Sequence, residues 1–572
     1  MKKYLIILLL IPVSAFGAET FYVCAGGDGT LPETNTCATA WDWDDVDNTN
    51  NWAATEADDT KIGPNDTVIF KDDGGTFNLS SDIDTYQAGS SGSVITFIAE
   101  SGDTPTITAG TSLTGWTVYS GNVYSKSTGN IESTGLYEDG VVLNEEMSAG
   151  AVDAAGEWHC DESTTYVWTT DDADPDTHTM TTSAITWLMS IKHSYIIVDG
   201  LKFSDHYEPM VINSGADNVT VQNCTFEDVY FTAIQVADGS GSNNLNLSDN
   251  VFTRVGMGGI YVYSQNDTGI ANGNVCTDMN YQEWAVNANN TTNSDGHCVA
   301  IWGSDSWTIH ENKVVDFRDA FALYGHNATT HTAANNSIKY NYIQGSAALK
   351  SHYDGGSYGK GITIGSTSQP DEHYSNVVAY NIIDQAHIGM RINRSNTSGK
   401  GNLVYNNTFY DCDRGLDLRQ EADYNVVKNN IFSETDSYHI YEYSGTTGAN
   451  LVSDENQFYP DTGGSAAPDF ADSGSDKDQL SDWQTSTSQD ANSDAGDPGL
   501  TNPSSGDFTL SSDLEGADLG ATYDDGLDPI NTNWTNTPPT IGTLDQDDYL
   551  PWDRGAFIFA EEEITIQGVT VY

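Results

Sequence analysis

Hydrophobic and polar residues alternate in short segments through most of this chain, and Gly, Asn, Asp and Ser separate the segments. An alternation of period two is typical of β-strands, whereas a helix would repeat every 3.6 residues. In the middle of the chain the pattern recurs around nine asparagines, at intervals of 27, 24, 38, 29, 40, 26, 23 and 26 residues. These are Asn223, Asn250, Asn274, Asn312, Asn341, Asn381, Asn407, Asn430 and Asn456.

A repeat of this length predicts one supersecondary unit stacked on copies of itself. Most of the asparagines are followed two residues later by a large apolar residue, such as Phe252, Ile343 or Phe432. We therefore predict an all-β solenoid, a parallel β-helix, in which each turn pairs with the next at about 4.8 Å and the asparagines stack at one corner.

The pattern divides the chain into four parts. Residues 1–18 contain Lys2 and Lys3, an apolar run and small residues, and they predict a signal peptide too short to span a bilayer. Residues 19–190 are predicted to form a β-rich N-terminal cap with irregular first coils, and residues 191–460 the regular helix. Residues 461–572 begin with a Ser-, Asp- and Gly-rich stretch, and they predict a loose acidic loop followed by a C-terminal cap.

The charge balance excludes some partners. The chain has 21 basic and 83 acidic residues, a net charge of −62, and removal of Lys2 and Lys3 makes this about −64. Such a surface repels nucleic acid and anionic membranes and keeps the protein soluble. Together with the signal peptide, it predicts a secreted monomer, either extracellular or periplasmic. An acidic glycan would need a local cationic patch or a bound cation, and Ca²⁺ is the cofactor we consider.

Seven cysteines in an exported chain leave at least one unpaired. Cys24 and Cys37 flank a short loop and are the best candidates for a disulfide. We interpret Cys224, Cys276, Cys298 and Cys412, which fall inside the repeats, as small buried thiols.

Each repeat has a second strand about nine residues after its asparagine, recognisable by two inward apolar residues preceded by a small residue. Side chains between and after the apolar pair must face outward, because strands alternate. In successive repeats these outward positions are Gln235/Ala237, Tyr261/Tyr263, Ala300/Trp302, Ala322/Tyr324, Arg391/Asn393 and Asp417/Arg419.

The repeat between Asn341 and Asn381 offers two candidates for this strand. The usual spacing favours Ala347 to His352, which places Lys350 and His352 outward. The alternative is Gly359 to Ile364, which contains Lys360. We favour the first, because neighbouring repeats keep an interval of nine or ten residues.

The three longest asparagine intervals, 38, 29 and 40, are consecutive, so extra loops are expected beside these turns. Loops on one side of a rigid solenoid are where binding sites occur. Aromatic side chains suit the apolar faces of sugar rings. We therefore expect a substrate-binding surface formed by Tyr261, Tyr263, Trp302, Tyr324, Lys360, Asn393 and Arg419.

The asparagine-punctuated repeats, Gly156-Glu157-Trp158 and Arg554-Gly555-Ala556-Phe557 resemble secreted bacterial proteins of the pectin-lyase-like superfamily. The resemblance implies a right-handed parallel β-helix with a β-rich N-terminal cap and an acidic C-terminal cap. It covers nearly the whole mature chain, and it is specific for the fold rather than for a reaction.

Lysine and arginine on one face of such a helix suggest β-elimination of a uronic-acid polysaccharide. That reaction needs a base for the proton next to the carboxylate and a positive group for the resulting enolate. We assign these roles to Lys350 and Arg391, with His352 as the alternative base. The pattern is similar to chondroitinase-B and alginate lyases, but the separation of lysine and arginine is longer and their glutamate-rich calcium site has no clear counterpart.

Two alternatives remain. Asn293-Ser294-Asp295-Gly296 and Arg318-Asp319 resemble polygalacturonase motifs, so Asp295 and Asp319 could serve a glycoside hydrolase. The family's histidine is here Lys360 and its final lysine Asn393, which weakens that similarity. If calcium binds, Asp295, Asp319 and Asp417 are the expected ligands. A non-catalytic glycan-binding adhesin would use the aromatic face alone.

Overall fold

The fold consists of three long parallel sheets around one apolar core. The computed structural model describes residues 18–30, 32–55, 60–131, 134–146, 148–183, 185–239, 241–263, 266–279, 296–325, 332–347, 359–365, 373–393, 401–420, 422–443, 450–461, 469–517, 519, 527–529, 541–545 and 552–557. Each of the three sheets has 13 strands, and the strands of the helix from Thr67–Lys71 to Phe470–Asp472 visit sheets 1, 2 and 3 in turn. This is the predicted parallel β-helix.

Sheet 1 begins at the first described strand, so the helix starts before the regular repeats do. Its strands are Thr20–Cys24, Thr67–Lys71, Ile95–Ala99, Ile196–Asp199, Thr220–Gln222, Leu245–Ser248, Gly269–Asn272, Trp307–His310, Ser337–Lys339, Val377–Ala379, Leu403–Tyr405, Val426–Lys428 and Val452–Asp454.

Sheet 2 carries rows of stacked aromatic rings inside the helix. The Phe203, Phe226 and Phe252 rings stack with centroids 5.2 and 5.3 Å apart. The strands are Phe77–Asn78, Thr106–Thr108, Lys202–His206, Thr225–Val229, Val251–Val255, Val275–Thr277, Lys313–Val315, Tyr342–Gln344, Ile382–Asp384, Thr408–Tyr410, Ile431–Ser433, Gln457–Tyr459 and Asp494–Ala495.

Sheet 3 contains the predicted second strands. The small residue before each apolar pair makes room for a ring from sheet 2: a Cβ on Gly389 would lie 2.5 Å from Phe409. The strands are Ile83–Asp84, Met189–Ile191, Met210–Ile212, Thr232–Val236, Gly258–Val262, His297–Trp302, Asp319–Tyr324, Lys360–Ile364, Ile388–Asn393, Arg414–Arg419, Tyr438–Glu442, Phe470–Asp472 and the antiparallel Ser475–Lys477.

The strand that we favoured in the repeat between Asn341 and Asn381 was wrong. Lys360–Ile364 pairs with Asp319–Tyr324 on one side and with Ile388–Asn393 on the other, so it occupies this position in sheet 3. The inserted residues therefore precede the strand, and nine-residue spacing does not hold here. Lys350 and His352 lie outside the described residues.

The asparagine ladder runs between sheets 1 and 2. The backbone N–H and the side-chain amide of Asn341 both donate to Oδ1 of Asn381, at 3.1 and 2.9 Å, and Asn381 repeats this with Asn407. The same pattern joins consecutive members from Asn250 to Asn456. All eight are completely buried.

Asn223 does not belong to the ladder, which corrects the first step of the predicted repeat. Cys224 takes that place, and its N–H donates to Oδ1 of Asn250 at 3.0 Å. Asn223 instead adopts the left-handed conformation, with φ of 53°. The residue before each ladder asparagine does the same, for example Asp249 at 58° and Tyr340 at 57°. The repeat is thus a two-residue corner, in which a residue in the left-handed conformation is followed by a buried asparagine.

A second ladder, which the sequence analysis missed, closes the corner between sheets 3 and 1. The N–H of Asn336 donates to Oδ1 of Asn376, and the N–H of Asn376 to Oδ1 of Asn402. Asn402 continues it to Asn425. Both corners therefore satisfy their buried backbone groups with side-chain amides.

Residues 110–183 form an inserted β-domain with its own core around Trp158 and Tyr137. The chain leaves sheet 2 before it and returns to sheet 3 after it. The hydroxyl of Tyr230, on the helix, donates to Glu145 of the domain. The strands are Gly110–Ser112, Thr117–Ser120, Val123–Ser127, Tyr137–Glu138, Val141–Val142, Asn144–Glu145, Glu157–Asp161, Thr164–Trp168 and Met180–Ser183.

The C-terminal part differs from the predicted loose loop. A helix, Leu480–Thr487, covers the last turn, where Trp483 is buried and stacks on Phe470 at 5.5 Å. Residues 552–557 lie against the side of the helix, with Arg554 donating to Asp494 at 2.9 Å. Other described elements are the helix Trp43–Val46, the 3₁₀ turns Thr49–Asn51, Pro175–Thr177 and Pro503–Ser505, and the strands Leu500–Asn502, Asp507–Leu510, Leu527–Pro529 and Ile541–Asp545.

Two disulfides are formed. Cys24 pairs with Cys37, as predicted. Cys276 pairs with Cys298, which corrects their interpretation as thiols; the Cα atoms are 5.7 Å apart on sheets 2 and 3. Cys160, Cys224 and Cys412 are buried free thiols. No helix in the described part of the chain is long and apolar enough to cross a membrane.

The asparagine ladder should contribute to the stability of the protein. Asn381→Ala removes the acceptor for two Asn341 donors and leaves the carbonyl of Ile338 without its amide partner. Buried groups left unsatisfied cost about 1–3 kcal/mol each, so the free energy of unfolding should fall by roughly 3 kcal/mol or more. Urea denaturation measures this. Asn223→Gly is the control, because Asn223 is exposed and left-handed, and it should change stability by less than about 1 kcal/mol.

Candidate active site

The outer face of sheet 3 carries three aligned columns of side chains. Backbone pairing places Arg391 between Thr363 and Asp417, and Asn393 beside Arg419. The predicted neighbours Arg391/Asp417 and Asn393/Arg419 are therefore confirmed, whereas Thr363 and not Lys350 precedes Arg391. The third column precedes the small residues, and it contains His297, Asp319, Lys360, Ile388, Arg414 and Tyr438.

Charged residues from all three columns and from the adjacent turns meet at one place, which we call the ionic cluster. Asp417 is completely buried and is its centre. It accepts from Nε and Nη2 of Arg391 at 3.0 and 2.9 Å and from Nε of Arg419 at 2.9 Å, and Arg414 lies 3.8 Å away. The ionic cluster consists of Asp319, Lys360, His387, Arg391, Asp413, Arg414, Asp417 and Arg419.

Arg391 is 5% exposed, although it is a guanidinium on an outer sheet face. Burial lowers its pKa, and the adjacent Asp417 carboxylate opposes that shift. Asp319 is also close enough to raise the pKa of Arg391, which places the Asp319–Lys360 ion pair beside it. A buried charge held in place by counter-ions is suited to binding a charged group.

His387 also belongs to the ionic cluster, with Nδ1 3.4 Å from Asp413. Burial lowers its pKa, Asp413 opposes this, and the positive charges of Arg414 and Arg391 lower it further. The imidazole is therefore neutral near pH 7. The sequence analysis missed His387, Asp413 and Arg414, because it considered only positions between and after the inward pair.

Two polar atoms next to Arg391 are buried and have no hydrogen-bond partner in the described part of the chain. They are Oγ1 of Thr363 and Oδ1 of Asn393. The amide nitrogen of Asn393 donates to Gly365 at 3.0 Å, which fixes Oδ1 as the available atom. Such groups in a native structure are accounted for by a water or by a ligand.

Aromatic side chains flank the ionic cluster on its N-terminal side. Tyr261 stacks on Trp302 at 5.9 Å, and the Trp302 and Tyr324 rings are 4.9 Å apart edge to face. With Tyr263, these form the N-terminal aromatic platform. All four were predicted to lie on this face, but Tyr261 is buried rather than exposed.

A second group of tyrosines follows the ionic cluster and was not predicted. The Arg414 guanidinium lies 4.4 Å from the Tyr441 ring and 5.5 Å from the Tyr438 ring, and Arg419 lies 5.2 Å from the Tyr443 ring. These cation–π contacts hold both arginines in place. We call Tyr438, Tyr441 and Tyr443 the C-terminal aromatic platform.

The residues predicted to bind calcium have other partners where they are described. Asp319 pairs with Lys360, and Asp417 with Arg391 and Arg419; Asp295 lies outside the described residues. The calcium site remains a prediction. Among described residues, Glu138, Asp171 and His178 of the inserted domain have ligand atoms within 4.8 Å of one another. His178 bonds to Asp171 and Asp139 there, at 3.1 and 2.8 Å.

Removing the central carboxylate should destabilise the protein. Asp417→Asn keeps the shape but leaves three guanidinium groups without their shared negative charge, and breaking a buried ion pair costs about 3–5 kcal/mol. Urea denaturation should show that loss. The double variant Arg391→Met/Asp417→Asn should recover part of it, because one buried cation is removed as well. If the double variant loses more unfolding free energy than the two single variants lose together, this account is contradicted.

A family model described as a right-handed beta helix region matches residues 188–275. No curated protein matches the chain. A solved structure of XylC with xylose aligns over 77% of this chain and 83% of its own, with 11% identity and a TM-score of 0.54.

Two further solved structures align more loosely. One described as a glycoside hydrolase covers 71% of this chain and 96% of its own, with 10% identity and a TM-score of 0.45. A mutant of the PL6 family alginate lyase AlyGC covers 72% and 51%, with 12% identity and a TM-score of 0.38. The matched family description, the XylC alignment and the three parallel sheets agree on the architecture: the chain is a right-handed parallel β-helix.

Proposed function

We propose that the protein is an extracellular glycan-active enzyme, and that it cleaves a uronic-acid-containing polysaccharide by β-elimination. The observation that carries the proposal is Arg391, a buried guanidinium on the outer face of sheet 3. Aromatic platforms lie on both sides of it, and two unsatisfied polar atoms lie next to it. Aromatic rings bind the apolar faces of sugars, and a buried guanidinium charge attracts the carboxylate of a uronic acid.

The reaction uses these groups as follows. Arg391 binds the carboxylate of the uronic acid and stabilises the negative charge that grows on it when the neighbouring C–H proton is removed. The electron pair of that C–H bond forms the new carbon–carbon double bond. The glycosidic C–O bond on the next carbon breaks, and its oxygen leaves with a proton from a general acid or from water.

His387 is the described group best suited to act as the base. Its lowered pKa keeps the imidazole neutral near pH 7, and Arg391 and Arg414 are close enough to contribute to that shift. Lys360 is a poor base, since its ammonium group is bonded to the buried Asp319 carboxylate. Deprotonation of Lys360 would leave that carboxylate without its counter-ion. Lys350, with His352, remains the candidate based on sequence.

A hydrolase would need a carboxylic acid that gives up a proton. Asp319 and Asp417 are the carboxylates at the centre of the ionic cluster, and both are bonded to cations. Protonating Asp417 would leave three guanidinium groups unbalanced. We therefore rank elimination above hydrolysis, and non-catalytic glycan binding third.

Export is part of the proposal. The predicted signal sequence precedes the first strand, and two disulfides are the kind of bond that persists in an oxidising compartment. We also propose Ca²⁺ as a cofactor, because the chain has 83 acidic residues. Activity with and without added Ca²⁺ tests this.

The proposal is tested by incubating the purified protein with alginate, pectate, chondroitin and ulvan, with and without Ca²⁺. Elimination produces unsaturated uronides that absorb ultraviolet light. Arg391→Lys keeps the charge but loses the planar fork that bonds to Asp417 and positions that charge, and kcat/KM should fall by about 10²–10³-fold. Arg254→Lys is the matched control, because Arg254 lies in an ion pair on sheet 2, and it should retain activity. New reducing ends without absorbance would establish hydrolysis, and binding without either signal would establish an adhesin.

The pH profile tests the base. Since the folded pKa of His387 lies below its ordinary value of about 6.5, the neutral base predominates at neutral pH and is lost as the pH falls through the folded pKa. kcat/KM should therefore have an acidic limb below pH 6.5. His387→Gln should reduce kcat and abolish that limb, whereas His159→Gln in the inserted domain should keep both. An unchanged limb in His387→Gln would assign the base to another group.

A further inference from the structure

The inserted β-domain has an aromatic surface that is separate from the ionic cluster and from the two aromatic platforms. Five of its strands form one sheet, whose inner face carries Trp158, Cys160 and Val167, completely buried in the domain core. Because adjacent residues of a strand point to opposite faces, their neighbours lie on the outer face. The order of the strands is Thr117–Ser120, Val123–Ser127, Thr164–Trp168, Glu157–Asp161 and Asn144–Glu145.

The outer face carries four side chains with rings, and none of them is fully buried. His159 lies opposite Tyr166 on the neighbouring strand, and Trp168 lies opposite Glu157. Tyr119 comes from the edge strand of the sheet and is 56% exposed. We call Tyr119, His159, Tyr166 and Trp168 the domain aromatic surface.

Three of these rings form a continuous row across the strands. Tyr119 meets Tyr166 edge to face with the ring centroids 4.8 Å apart, and His159 stacks on Tyr166 at 6.4 Å. The strand between the two tyrosines contributes Ser125, which pairs with Tyr166 and is small enough for the rings to meet across it.

Hydrogen bonds hold the other rings in place. Nε1 of Trp168 donates to Asp172 at 2.6 Å, and Nδ1 of His159 bonds to the backbone carbonyl of Glu146 at 2.7 Å. Both bonds use the edge of the ring and leave its face available. Rings that are already fixed lose little side-chain entropy when a ligand binds.

The charge of the domain excludes anionic ligands. Residues 110–183 contain 13 acidic residues and one basic residue, Lys126, whose ammonium group is bonded to the backbone carbonyl of Thr114. Glu157 and the exposed Asp161 lie on the two sides of His159 along its strand. Nucleic acid and a uronic acid polymer would both be repelled here.

The mixture of groups on this face suits a sugar better than a protein partner. Ser125 pairs with Tyr166, and Ser127 pairs with Thr164, so hydroxyl groups lie beside the rings. The centre of a protein interface is a dry apolar patch with few charged residues. A sugar ring instead has one apolar face for stacking on an aromatic ring and hydroxyl groups for bonding to serine, threonine and carboxylate side chains.

The domain is attached to the helix beside the sheet 3 face. Tyr230 of the helix is part of the domain core, and Phe231 packs both against that core and against the N-terminal aromatic platform. A polymer bound to the domain would therefore be kept close to the sheet 3 face, which raises its effective concentration there.

We propose that the domain aromatic surface is a second glycan-binding site, and that its ligand is a neutral polysaccharide. The site binds without cleaving, and it differs from the ionic cluster in the charge of the ligand that it accepts. The proposal does not depend on the reaction assigned to the ionic cluster.

Affinity electrophoresis of the whole protein tests the proposal. Native gels each contain one neutral polymer, namely galactan, arabinan, glucomannan or hydroxyethylcellulose, and the net charge of −62 drives the protein through them. We expect at least one polymer to retard the wild-type protein. Retardation by none of the four would overturn the proposal.

A double variant locates the binding. Tyr119→Ala/Tyr166→Ala should raise the dissociation constant for the retarding polymer by at least about tenfold. Tyr22→Ala is the matched control, because Tyr22 is a half-buried tyrosine on the outer face of sheet 1, and it should leave retardation unchanged. The single variant Tyr119→Ala changes only an exposed residue of an edge strand, so it should stay folded and weaken binding by several-fold. Full retardation of both tyrosine variants would contradict the assignment to this surface.

Salt separates a neutral ligand from a basic one. Binding of a neutral polymer should be unchanged between about 0.05 and 0.5 M NaCl, because no ion pairs are screened. Stronger retardation by the basic polymer chitosan, lost in the double variant and at high salt, would overturn the neutral class of ligand.

Two variants distinguish this proposal from the proposed function. Arg391→Lys should keep its retardation by the neutral polymer, whereas Tyr119→Ala/Tyr166→Ala should keep kcat/KM on a soluble uronate hexasaccharide. Retardation that depends on the two tyrosines, in a protein that cleaves no uronate, would support the second site and contradict the lyase. Cleavage without retardation would support the lyase and contradict the second site.

Discussion

The buried asparagine ladder is the interaction on which the rest of the structure depends. In each turn the chain bends between sheets 1 and 2. At the bend, backbone N–H and C=O groups point away from the hydrogen bonds that join neighbouring strands. A left-handed residue makes the bend, and the following asparagine bonds to the next turn through both its backbone and its side chain. Eight such residues in a row fix the register of one turn against the next.

A fixed register makes the site possible. Arg391 and Asp417 are 26 residues apart in the sequence, and they meet because two adjacent turns are held in alignment. The same alignment places Asn393 beside Arg419. The same alignment stacks the aromatic rings in rows on either side. The chain has a net charge of −62, and the ionic cluster concentrates four of its few cations at one place on this face.

The sequence predicted the ladder from Asn250 onwards, and with it the strands of sheet 3 on both sides of the long insertion. It placed Arg391 beside Asp417 and Trp302 beside Tyr324 correctly. It could not place the strand that begins at Lys360, because an insertion before the strand and an insertion after it give the repeat the same total length. Only the backbone pairing with both neighbours decides the case.

Other features had weaker signals. Cys276 and Cys298 are 22 residues apart and lie on different sheets. Their pairing depends on how the two sheets approach each other, which the sequence separation does not reveal. The second ladder was hidden, because Asn336, Asn376, Asn402 and Asn425 resemble ordinary turn residues. Arg414 and Lys360 lie before the small residue of their strands, and recognising that third column required knowing that the strands extend that far.

The most direct test of the central claim is a crystal structure of the His387→Gln variant with a hexasaccharide that contains uronic acid. The account predicts a glycan along the outer face of sheet 3, with one uronate carboxylate on the Arg391 guanidinium and sugar rings over Trp302 and Tyr441. A glycan bound on another face, or on this face with no carboxylate at Arg391, would contradict it.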